Sequence, residues 1–139
     1  YLGINVDDQR GAIFSPPNSG VAPQGMSAGV FARLVSRLGI HTRAFLTEMP
    51  AAELTPIADT QVLLAELRWA CRHEQVVHLD DLLLRRVRLG LLLPRGGIDA
   101  VPSLDAILAE ELGWSAEQIA AERVRYSDIW QRYYSLPVA

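Results

Sequence analysis

The chain has 139 residues, half of them hydrophobic and 21% charged, with a net charge of −3. That is enough apolar material for one globular domain with its own core, and too much for a disordered chain. The negative balance argues against a broad electrostatic footprint for nucleic acid, and no apolar run nears the ~18 residues of a membrane span. Its one cysteine, Cys71, excludes an internal disulfide and fits a reducing compartment such as the cytoplasm. The basic residues are all arginine, a bias of composition rather than of function. No secretory signal opens the chain, and it starts at Tyr1 rather than Met, as expected of a domain cut from a longer protein.

Residues 1–25 are rich in glycine and proline without a sustained period, which predicts a linker; residues 11–15 alone suit a short strand. Residues 26–139 read as one helical domain. A first helix is predicted over 27–38, with Ser27 as N-cap, Gly39 as C-cap, and Val30, Leu34 and Leu38 along one face beside Phe31. A short helix capped by Thr42 stops at Pro50, and residues 51–57 form another turn or two. Two amphipathic helices follow over about 61–75 and 79–92, before Pro94, Gly96 and Gly97 break the chain. Leu104, Ile107, Leu108 and Leu112 make a stripe that ends at Gly113. Ser115 and Gln118 have capping-box spacing and open a last helix to about Ser135, with Ile119, Tyr126, Trp130 and Tyr133 near one face. The prediction is an all-α compact bundle of five to seven helices after an irregular linker, with no repeat and no coiled-coil heptads.

The two central helices each carry a charge on the apolar face. Leu63, Leu64, Leu67 and Cys71 form a stripe with Glu74 at its end; Leu79, Leu82, Leu83 and Gly90 form another with Arg86 inside it. Helices joined by a short turn pack together, so Glu74 and Arg86 are predicted to form a structural ion pair, at least partly buried. Glu66 and Arg88 are the next candidates. Arg85 and Arg88, with Tyr133 and Tyr134 near the C-terminus, are candidates for solvent or for docking another domain. Trp69, Trp114, Tyr126 and Trp130 suit a core better than a ligand box.

Several chemistries lack their residues. Cys71, His73 and His78 have neither the spacing nor the fourth ligand of a zinc site. No Ser–His–Asp arrangement can be singled out, so no catalytic residue is predicted. Arg85, Arg86 and Arg88 would suit a DNA-recognition helix, but Asp80 and Asp81 occupy its first turn. No G-x-G-x-x-G follows a strand, so no dinucleotide site is predicted.

Four segments stand in order: FARLVSRLG, LLAELRWACRHEQ, HLDDLLLRRVRLGLL and LAEELGWSAEQIAAE. Together they resemble the C-terminal helical domain of FAD-dependent glycerol-3-phosphate dehydrogenases and alpha-glycerophosphate oxidases, over residues 30–135. His78 and Val87 stand where that family commonly has threonine. The resemblance implies an upstream FAD-binding catalytic domain that oxidises glycerol 3-phosphate to dihydroxyacetone phosphate and passes electrons to a quinone or to oxygen. It implies that this domain packs on the catalytic one and is inactive alone. It allows homodimer contact and peripheral association of the parent with the cytoplasmic face of a membrane. The rival reading is a free-standing helical interaction module.

Overall fold

In the computed structural model, which describes residues 22–135, Ser27 is extended and its Oγ accepts the Val30 N–H at 3.2 Å. This cap opens α1 (Ala28–Leu38), which ends at Gly39 with φ 54° and ψ −124°, a conformation L side chains avoid. A 3₁₀ turn, Gly39–His41, leads into α2 (Thr42–Glu48). Thr42 is not the cap predicted for it: the residue is already helical, and its hydroxyl donates to the Gly39 carbonyl at 2.8 Å. Val30, Phe31, Leu34, Val35 and Leu38 are buried on α1, Thr42 and Phe45 on α2, and the two helices pack together.

The described residues fall into two compact units divided between Glu48 and Met49. The strand suggested at 11–15 and most of the 1–25 linker lie outside the described residues.

The second unit begins with a 3₁₀ turn, Ala51–Glu53, and a small loop closed by an isolated bridge between Pro56 and Leu63. There the Ile57 N–H donates to the Val62 carbonyl at 2.8 Å and the Leu64 N–H to the Thr55 carbonyl at 3.0 Å. α3 (Leu64–His73) starts without a capping hydroxyl. Instead the wholly buried Glu66 turns its Oε1 back to accept the Leu63 N–H at 2.8 Å. The chain leaves the helix through Gln75, at φ 51°.

The predicted single helix over 79–92 is instead broken into a π-helical turn and a 3₁₀ turn. Asp81–Arg86 is a π-helical turn in which the Val87 N–H reaches the Leu82 carbonyl at 3.0 Å. Arg88 then takes a left-handed conformation, followed by 3₁₀ turns at Leu89–Leu91 and Pro94–Gly97. The π turn buries Leu82, Leu83 and Leu84 in succession.

α4 (Leu104–Leu112) ends at left-handed Gly113, and α5 (Ala116–Tyr133) starts at Ser115, whose Oγ accepts the Gln118 N–H at 3.2 Å. α4 packs on α3, and α5 on α4 and on the Pro94–Gly97 turn. Leu67, Leu79, Leu82, Leu83, Leu89, Leu104, Ile107, Leu108 and Tyr126 fill the core without exposure. Each buried side chain of this kind contributes roughly 1.5–3 kcal/mol of transfer free energy. The described residues thus hold five α-helices and no strand beyond the one bridge, and none of these helices is long and apolar enough to cross a membrane.

Candidate functional site

α5 is anchored through two aromatic residues set into a glycine notch. Tyr126, wholly buried, donates its hydroxyl to the Gly96 carbonyl at 2.6 Å, and the Trp130 Nε1–H donates to the Gly90 carbonyl at 3.0 Å. A Cβ on Gly90 would lie 2.4 Å from the Tyr126 oxygen; one on Gly96 would lie 2.5 Å from it and 2.8 Å from Trp130 Cδ1. Burial pushes the Tyr126 phenol above its ordinary pKa.

A polar seam runs alongside. Glu122 of α5 accepts the Leu79 N–H at 3.0 Å, and its other oxygen lies 3.0 Å from His78 Nδ1. Arg125 donates to the buried Asp80 at 2.6 Å. Asp81 accepts the N–H groups of Val77 and His78 at 3.3 and 3.0 Å. Burial works against the Asp81 carboxylate, but these two hydrogen bonds and Arg85 outweigh it and hold the group below the ordinary range. Asp81 and Glu122 therefore supply the capping that His78 lacks.

Arg68 is a second hub. It grips Glu53 through two nitrogens, at 2.8 and 2.7 Å, and also donates to Glu110 and Glu111. The hydrogen bond to Glu53 leads in raising its pKa, against desolvation. Arg72 also binds Glu111 and is first among the causes that hold that carboxyl below its usual range, against burial and with help from Arg68. Sequence reasoning missed these hubs, because their partners come from segments far apart in the chain.

The two residues of the predicted pair differ in exposure. Glu74 is half-buried as the C-cap of α3, whereas Arg86 is exposed at the end of the π turn. Burial of Arg86 on an apolar stripe fails because the wider turn shifts the register that the stripe assumed. The buried carboxylates are Glu66 and Asp80. Arg85 is exposed but bridges Asp81 at 2.5 Å and Asp80 at 3.3 Å. Arg88 is exposed. Tyr133, expected beside Trp130, is 69% exposed, and Tyr134 is 48% exposed. Trp69 and Trp114 are buried, and Trp130 half-buried. Cys71 is a core thiol pushed up to about 12 by burial, His73 lies against Trp69, and His78 faces Glu122.

Two open pockets of ≈ 420 and ≈ 460 Å³ flank α5. The first contains Arg95, Asp99 and Arg123; Arg95 pairs with Asp99, and Arg123 with Asp105. Chemically, the arrangement among the described residues holds helices together and presents a surface.

A family model described as the C-terminal domain of alpha-glycerophosphate oxidase matches residues 11–119. The chain belongs to this family. As a C-terminal domain of the alpha-glycerophosphate oxidase family it has curated relatives of much greater length. A glycerol-3-phosphate dehydrogenase of Mycobacterium leprae is 35% identical over 75 residues, which are 53% of this chain and 13% of the relative. Glycerol-3-phosphate dehydrogenase 1 of Mycobacterium tuberculosis is 39% identical over 85 residues, 60% of this chain and 16% of the relative. No solved structure matches. The family match ends at Ile119, so it includes the notch glycines Gly90 and Gly96 but not Tyr126 and Trp130.

Among the described residues no strand leads into a glycine-rich helix start, the arrangement a dinucleotide site needs.

Proposed function

We propose that this chain is the helical accessory domain at the C-terminal end of an FAD-dependent glycerol-3-phosphate dehydrogenase, working in the cytoplasm. Its parent oxidises glycerol 3-phosphate to dihydroxyacetone phosphate, and the flavin and substrate sites lie on an upstream domain. The domain's role is to dock on that catalytic domain. The observation that carries the reading is the family match over most of the chain, in relatives of which it covers only 13% to 16%. Exposed Arg88, Tyr133 and Tyr134 are the docking candidates; Arg85 is already engaged by Asp80 and Asp81.

A chimera tests this. The matching segment of the M. tuberculosis glycerol-3-phosphate dehydrogenase 1 is replaced by this chain. The chimera is expected to purify yellow with FAD and to oxidise glycerol 3-phosphate, while the chain alone does neither. A chimera without flavin or activity, or an isolated chain that retains FAD through dialysis, overturns the reading.

A further inference from the structure

Leu91 and Leu92 are adjacent, large and apolar, and 55% and 59% exposed. Single exposed leucines are ordinary on a protein surface, but these two sit on a tip with unusual support. Beneath them Leu89 is wholly buried. The Leu91 N–H bonds the Arg88 carbonyl at 3.1 Å and the Leu92 N–H the Leu89 carbonyl at 3.0 Å. The turns on either side are pinned to α5 by Trp130 on Gly90 and Tyr126 on Gly96. The tip is therefore held in one conformation, which lowers the entropy cost of burying it against a partner.

Arg88 and Arg95 flank the tip, both exposed and both at positive φ, 56° and 51°, and Arg95 is also paired with Asp99. A glycine would hold either turn with less strain, yet both positions carry a cation. We infer that Leu91 and Leu92, framed by Arg88 and Arg95, are the central contact by which this domain docks on the upstream part of its parent chain. The matching surface is an apolar recess rimmed by carboxylates, since a cation-framed tip is best met by opposite charge. The inference rests on the function proposed above and adds the contact surface to it. The occupant follows from length: most of each relative lies outside the segment this chain matches.

Hydrogen exchange on the same chimera tests the contact. The amides of Leu91, Leu92 and Leu93 are expected to exchange at least about tenfold more slowly in the chimera than in the isolated chain. Leu91→Ser with Leu92→Ser, and separately Arg88→Glu, should remove most of that protection in the chimera while the isolated chain stays folded. A yellow, active chimera with unprotected tip amides overturns the docking site but leaves the function standing. A chimera without flavin overturns both. The isolated chain is also examined for dimerisation and for sedimentation with phosphatidylglycerol vesicles. Either behaviour, if lost in the double serine variant, assigns the tip to a second copy or to lipid and overturns the inference.

Discussion

Gly90 carries no side chain where Tyr126 and Leu84 close in; an added Cβ would stand 2.4 Å from the tyrosine oxygen and 2.8 Å from Leu84 Cδ2. Gly90→Ala is expected to cost on the order of 1–3 kcal/mol in urea denaturation. Tyr126→Phe strands the buried Gly96 carbonyl and should also cost about 1–3 kcal/mol. The phenylalanine also removes the nearer of the two obstacles to the alanine methyl. The double variant should therefore lose clearly less than the sum, and simple additivity would show that the notch relaxes elsewhere. At Glu74 and Arg86 the expectation is the reverse. Arg86 is exposed, so a cycle of Glu74→Gln and Arg86→Met should give a coupling below about 1 kcal/mol. A coupling of several kcal/mol would show that the two side chains act as a pair.

The helix ends whose signals are local were legible in the sequence. Ser27, Gly39, Gly113 and Ser115 act where their side chains or their lack of one predicts. The π turn was not legible. In LDDLLLRRVRLG a leucine-rich run is compatible with an α-helix or a wider turn, and no local cap or breaker before Gly90 separates the two. The start of that segment is held by another element. Ser115→Ala should cost about 0.5–2 kcal/mol, as a lost N-cap does. Glu122→Ala strips the acceptor from the Leu79 N–H and a neighbour from Arg125, so it should cost about 1–3 kcal/mol. Thermal denaturation of both variants compares them; a Glu122→Ala protein as stable as wild type would mean that α5 does not hold the π turn.

Across the whole molecule the shifted groups give a bell-shaped pH–stability profile. Asp81 and Glu111 have lowered folded pKa values, so their contribution is present above the ordinary carboxylate values of about 4 and is lost as pH falls below them. Cys71 and Tyr126 are raised, so their contribution is complete below the ordinary values of about 8.5 and 10 and is lost as pH rises. The plateau should span roughly pH 5–8. Cys71→Ala lowers the plateau by removing core packing, but should flatten the fall between roughly pH 9 and the folded value of about 12. Urea midpoints across pH compare the two shapes, and an unchanged alkaline slope would exclude the thiol as its source.

The sequence by itself determined the helical class, most of the helix ends and the family, because caps, glycines and apolar periods act within one or two turns of chain. Only the tertiary structure decided which charges meet. Arg68 takes Glu53, Glu110 and Glu111, and Arg125 takes Asp80, through contacts spanning from 15 to 45 residues of chain. It also decided that Gly90 and Gly96 are a socket for α5, and that Arg86 and Tyr133 face solvent rather than the core. Such choices depend on which surfaces close on one another, and a local apolar period does not encode that when one turn changes width.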